Sequence, residues 1–246
     1  MIEYSQTFLC RRSVLMEIKG LAKTTLLDYP GHVAATIFTG GCDFKCPFCH
    51  NKSLVLSPGR LESIPLEEIY DFLERRKSAL EGICVTGGEP LLQDDLCEFL
   101  YNVKMMGYKV KIDTNGYDPT HLSHILKNNL ADYIAMDIKN SQENYAKTAG
   151  ISNLDLTRIK LSVDLLKDSE IDYEFRTTVA KELHQWEDIE AIGQWLCGAR
   201  AYYLQPYVEG DDVIMPVFSS YSKKEMLEMK EMLSLYIAHV DVRGFA

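Results

Sequence analysis

Short apolar, β-rich runs alternate with amphipathic stretches along this chain from Met16 onward. Residues 32–38 (HVAATIF), 82–86, 108–113, 133–138, 173–179 and 201–205 read as strands, and 240–242 as a last short one. Between them lie stretches of helical period. Residues 65–80 place Ile69, Phe72 and Leu73 on one face, and residues 96–106 follow the acidic pair Asp94-Asp95, which suits a helix N-terminus. Residues 120–128, 142–166, 186–197 and 222–238 complete the set. The last carries Met226, Met229, Met232 and Leu233 on its apolar side, a stripe that reads as packing and not as a cofactor site.

Strands alternating with helices indicate a parallel sheet covered by helices, an α/β fold. Six βα units predict a partial (βα)6 TIM-like barrel whose active site is built by loops at the C-terminal ends of the strands. Each strand here ends in a distinctive string. The first runs into Gly40–Asn51 (GGCDFKCPFCHN), the second into Thr86-Gly87-Gly88-Glu89-Pro90 and the third into Asp113-Thr114-Asn115-Gly116. The fourth ends in Met136-Asp137-Ile138-Lys139, the fifth carries Arg176-Thr177-Thr178, and the sixth ends in Gln205-Pro206-Tyr207. Six such strings on one rim are not ordinary loops.

Composition narrows the class without naming a function. The 246 residues are 46% hydrophobic and 25% charged, enough for one sizeable core. No internal repeat, low-complexity tract or linker divides them, so residues 16–246 read as a single domain. A net charge of -10 argues against a nucleic-acid surface and against a polybasic membrane anchor. No apolar run reaches the length of a membrane span. Residues 1–15 lack the pattern of a signal peptide and read as a leader or upstream extension. Seven cysteines, three clustered and four scattered, fit a reducing cytoplasm and a metal or redox site better than a disulfide framework. Of the scattered four, Cys84, Cys97 and Cys197 read as buried small hydrophobes, and Cys10 lies in the leader.

Cys42, Cys46 and Cys49 carry the chemistry. Three thiols on one short loop can face one centre while leaving it a ligand short, and an open position on a metal is where reactions occur. A structural zinc ion with His50 as fourth ligand is the plainer reading. Zinc sites usually draw ligands as two separated pairs, however, and no second Cys/His pair stands elsewhere in the chain. A three-thiolate iron–sulfur cubane with one open iron fits the spacing better, and fits better still beside the other five strings. His50 then packs near the site without ligating, and Phe48 forms an aromatic wall. Gly87-Gly88 allow a tight turn, which leaves Glu89 unexplained unless its carboxylate meets an ammonium group. Asp113-Thr114-Asn115-Gly116 alone reads as an Asx-type turn. Asp137 and Lys139 alternate with Met136 and Ile138, so both point into the barrel, where charges are costly unless they bind something. Arg176 on the next strand suits an anionic group.

Together these strings resemble the radical S-adenosylmethionine superfamily, by Cys-x3-Cys-x2-Cys followed by Gly-Gly-Glu-Pro after the second strand. Cys49-His50-Asn51, Asp-Thr-Asn-Gly and Asp-x-Lys resemble the glycyl-radical-enzyme activating branch, and Leu27-Asp28-Tyr29-Pro30-Gly31 is similar to the activators of anaerobic ribonucleoside-triphosphate reductase. The resemblance implies a [4Fe–4S] cluster on Cys42, Cys46 and Cys49, with S-adenosylmethionine chelating the open iron. It implies that Phe48, Gly87, Gly88 and Glu89 contact the cofactor, the last three at its amino group. Lys139 and Arg176 would face its carboxylate or ribose. Asp113, Thr114, Met136 and Asp137 match positions that gather around a monovalent cation in the pyruvate formate-lyase activating branch. That branch has a histidine where this chain has Val208, and the ferredoxin-like cysteine insert of some activators is absent.

The implied reaction needs no side chain as general acid or base. Flavodoxin or ferredoxin would reduce the cluster, cofactor cleavage would give methionine and a 5′-deoxyadenosyl radical, and that radical would take a hydrogen from a glycine of a partner enzyme. Two other readings stay open on sequence. One is a radical enzyme acting on a small molecule, of the 7-carboxy-7-deazaguanine synthase type. The other is a zinc-stabilised binding protein without catalysis.

Overall fold

The computed structural model describes residues 16–245. The proposed leader, with Cys10, lies outside the described residues. One eight-stranded sheet runs in chain order, β1 (Ile18–Thr25), β2 (Ala34–Thr39), β3 (Gly82–Gly87), β4 (Lys109–Thr114), β5 (Tyr133–Asp137), β6 (Asp172–Val179), β7 (Ala201–Pro206) and β8 (His239–Val242). β1 pairs antiparallel with β2, and every later neighbour is parallel. Helices cross between the parallel strands: α1 (Lys52–Leu56) and α2 (Leu66–Arg76), α3 (Leu96–Met105), α4 (Pro119–Lys127), α5 (Tyr145–Ala149) and α6 (Leu156–Lys167), α7 (Trp186–Trp195) and α8 (Lys223–Leu233). This is the partial (βα)6 barrel expected from the alternation, with β8 added as the last short strand. β1 and β8 are the two edges of the sheet, so the barrel is open.

Strand parity separates two environments. Ile37, Val85, Ile112, Ile134, Met136, Phe175 and Leu204 are fully buried in one apolar core with Leu73, Phe99, Val103, Ile125, Val163, Ile192, Met226 and Met229 of the helices. The alternate positions, Cys84, Lys111, Asp113, Tyr133, Asp137, Glu174 and Arg176, share the opposite face and carry the polar groups of the barrel interior. At its N-terminal end Tyr29 is buried against Tyr133, ring centroids 6.2 Å apart, and Asp28 accepts a 2.5 Å hydrogen bond from Thr36. Of Leu27-Asp28-Tyr29-Pro30-Gly31, Asp28 and Tyr29 thus turn to the base of the barrel, while Leu27, Pro30 and Gly31 are exposed.

Several elements go beyond or differ from the sequence reading, among them α1, which was not expected there. β1 is not among the strands expected there. It carries register shifts between Ile18 and Gly20 and between Ala22 and Thr25, so its apolar positions do not alternate cleanly. The helical segments expected over residues 142–166 are α5 and α6, divided at Gly150, whose φ of 70° caps α5 in the left-handed region. Residues 222–238 shorten to α8, started by a capping box in which Ser222 and Glu225 bond each other's backbone.

Candidate active site

The cysteine loop leaves β2 and is fastened on all sides by backbone and side-chain hydrogen bonds. Gly41 N donates to Leu54 O at 2.9 Å, and Gly41 O accepts from Glu89 N at 2.8 Å. A Cβ on Gly88 would lie 1.8 Å from Gly41 O, so the Gly-Gly turn after β3 packs flush on the cysteine loop as only glycine can. Asn51 Nδ2 donates to Gly87 O at 2.9 Å, which gives the Asn of Cys49-His50-Asn51 a structural task. From the third loop, Asn115 Nδ2 donates to Asp43 Oδ1 at 2.7 Å. From the end of α5, Ala149 O accepts from Lys45 N at 2.9 Å. His50 Nε2 sits against the carbonyl of Val208, so His50 holds the loop to the segment after β7.

One cavity at the C-terminal end of the sheet is lined by twelve of the residues expected at the site from sequence: Cys42, Cys46, Cys49, Phe48, Gly87, Gly88, Glu89, Asp113, Thr114, Asp137, Lys139 and Arg176. Five of the six strand-end strings reach it. Gln205-Pro206-Tyr207 does not; Tyr207 is buried beside His50 and Phe218 instead. Met136 does not reach it either. As alternation requires, its side chain points to the helix side and packs at Gly116, so it is removed from the residues expected around a cation. Phe44, Asn51, Asn115 and Thr178 also line the cavity and were missed from sequence.

Burial raises the pKa of all three loop cysteines, Cys46 to about 12, so metal ligation at neutral pH would have to displace their protons. Among the described residues, no three His, Cys, Asp or Glu side chains are close enough to share one metal ion. Cys42, Cys46 and Cys49 line one cavity, and soft thiolate is the donor a multi-iron group needs. The donor set fits the cluster.

Glu89 is 2% exposed. Its oxygens accept from Thr114 Oγ1 at 2.6 Å, Asn115 N at 2.7 Å and Leu91 N at 3.1 Å. It therefore joins the second and third loops as well as facing the cavity. Burial, with the Asp43 charge adding to it, pushes its carboxyl up to about 8.

The charged residues form one chain of alternating sign. Lys111 pairs with Asp113, Asp113 Oδ2 with Arg176 at 3.1 Å, Arg176 with Asp137, and Asp137 Oδ2 with Lys139 at 3.0 Å. Register explains the contacts: Asp137 stands directly beside Arg176, and Lys111 lies two residues before Asp113 on one face. Burial opposes both carboxylates, but Arg176 with Lys111 holds Asp113 low, and Arg176 with Lys139 holds Asp137 low. Both anions expected to take up a monovalent cation are thus already paired with side-chain cations. Sequence reasoning missed Lys111.

Residues 36–196 match the Radical SAM superfamily. The chain belongs to this superfamily, and is a radical SAM enzyme. It is 32% identical over 235 residues to a Methanocaldococcus jannaschii protein named "Putative glycyl-radical enzyme activating enzyme MJ1227", an overlap of 92% of this chain and 95% of the other. It is 33% identical over 131 residues to the pyruvate formate-lyase-activating enzyme of Clostridium pasteurianum, covering 51% and 53% of the two chains. Among solved structures, SuiB of Streptococcus suis superposes with a TM-score of 0.66 at 16% identity, covering 83% of this chain and 47% of SuiB, so this radical SAM enzyme spans about half of that protein. Among the described residues, no helix is long and apolar enough to cross a membrane.

Proposed function

We propose that this radical SAM enzyme activates a glycyl radical enzyme, with anaerobic ribonucleoside-triphosphate reductase as its first candidate partner. The observation that carries the reading is the meeting of twelve expected site residues, drawn from five strand ends, in one cavity of a barrel left open at its edges. The full-length likeness to a protein named as such an activator supports it.

When bound, a [4Fe–4S] cluster and S-adenosylmethionine would supply the chemistry, the one-electron reductive cleavage of the cofactor and removal of hydrogen from the partner's glycine Cα, with flavodoxin or ferredoxin as the electron donor. The chain's own residues hold and orient. Cys42, Cys46 and Cys49 would hold the cluster. The Gly87-Gly88 backbone and Glu89 face the cofactor's amino group, and Lys139 and Arg176 its carboxylate or ribose. Phe44 and Phe48 exclude water beside the thiols.

Anaerobic purification and iron reconstitution test this. About four irons per chain, loss of that iron in Cys46→Ala, and cofactor cleavage under dithionite are expected. On mixing with the reductase, an EPR glycyl signal is expected. A colourless protein holding one zinc overturns the enzyme reading at its root. Cofactor cleavage with no glycyl signal on any candidate partner overturns the activating role and favours a small-molecule substrate.

A further inference from the structure

Lys111 is 1% exposed, on β4 beneath the cavity it does not itself line. An ammonium at such a depth is costly unless paired. Lys111 Nζ pairs with Asp113 and lies 3.7 Å from Cys84 Sγ, its neighbour in register on β3. Cys84 is a neutral thiol, because burial and the Asp113 charge both raise its pKa. The ammonium therefore answers Asp113 alone. Along the chain of pairs, three cations (Lys111, Arg176 and Lys139) face two anions (Asp113 and Asp137), which leaves one positive charge in excess at the cavity floor. Without Lys111 the set would be neutral, and Asp113 would draw on Arg176 only.

We propose that Lys111 is a built-in cation: a fixed ammonium that neutralises Asp113 from below, leaves the paired set with one positive charge in excess to meet the carboxylate of the bound cofactor, and makes cofactor binding independent of any monovalent metal ion. Lys111 is a positioning residue, since it acts through Asp113 and Arg176. The inference rests on the S-adenosylmethionine reading of the cavity.

The test measures S-adenosylmethionine affinity calorimetrically on the cluster-loaded enzyme, in potassium chloride and in choline chloride of equal ionic strength. The wild type should bind equally in both. Lys111→Ala, which removes the charge and leaves room, should bind roughly tenfold more weakly in choline and recover in potassium or methylammonium. Lys111→Met, which removes the charge but fills the space, should weaken without recovery. Wild-type affinity that rises with potassium overturns the proposal, and so does a Lys111→Ala enzyme that binds as tightly as wild type in choline. If neither variant folds, the wild-type comparison decides alone. A cluster-loaded wild type that binds no cofactor in either salt defeats the cofactor reading itself, an outcome distinct from salt-dependent binding.

Discussion

Gly88 has no room for a methyl group, because the carbonyl of Gly41 lies where its Cβ would be. Both are backbone, so neither can swing aside. Gly88→Ala should push the cysteine loop off the turn after β3. Iron per chain after reconstitution should fall to well under half of wild type, while the long helices α2, α3, α4, α6, α7 and α8, which make none of the loop's hydrogen bonds, keep their circular dichroism. Full iron loading in that variant would show that the two loops can separate without harm. Lys139 gives the complementary case. Burial works against its charge, yet Asp137 raises its pKa above the ordinary lysine value, so it stays an ammonium at the cavity wall. Lys139→Ala should leave iron content unchanged and weaken S-adenosylmethionine binding by about tenfold, the equivalent of one charged hydrogen bond. Unchanged affinity would remove Lys139 from the site. At this scale the sequence was legible where chemistry depends on residue type and spacing, as with Cys42, Cys46, Cys49 and Glu89. Lys111 was legible in principle: it alternates with Asp113 on one strand face, by the same period-two argument that turned Asp137 and Lys139 inward. Asn51 and Asn115 were not, because their partners are backbone and side-chain groups on other loops, distant in sequence.

Elements built on clean periodicity appear close to where the pattern puts them, and those shaped by tertiary contact do not. β1 hides because Gly20 and two register shifts disrupt its alternation, and it forms by borrowing the ladder of β2. The break between α5 and α6 is likewise set from outside. Gly150 has φ 70°, and its Cβ would lie 2.2 Å from Lys45 O in the cysteine loop. α5 is a short helix whose end braces that loop, with Ala149 O holding Lys45 N and 3.8 Å from Cys46 Sγ. Gly150→Ala therefore meets both a left-handed backbone, costing about 1 kcal/mol, and a backbone clash. The expected result is reduced iron occupancy with a thermal midpoint lowered by a few degrees. A lower midpoint with full occupancy would make Gly150 a helix stop and nothing more.

An open barrel must keep its last strand in place without a neighbour on the far side. β8 is the free edge, and the residue after it, Arg243, reaches back into the interior. Its guanidinium bonds Glu174 of β6 twice, at 2.6 and 2.7 Å, and stacks 3.3 Å over the Tyr203 ring of β7. Glu174 is fully buried and also accepts from Tyr133 Oη at 2.6 Å. Three strands are thereby tied to the edge below the site, on the same polar face that carries Arg176. Removing one partner of such a pair strands a buried charge, which costs about 3 kcal/mol, the low end of the range for buried pairs because Arg243 is one-third exposed. Arg243→Met should lose that much in denaturant unfolding. Arg243→Met with Glu174→Gln should regain most of it, since the amide put in place of the carboxylate can still accept from Tyr133 and leaves no charge unanswered. If the single variant stays within about 1 kcal/mol of wild type, the ion pair does not fasten the edge, and the openness of the barrel must be maintained by the packing of α8 on β7 and β8 alone.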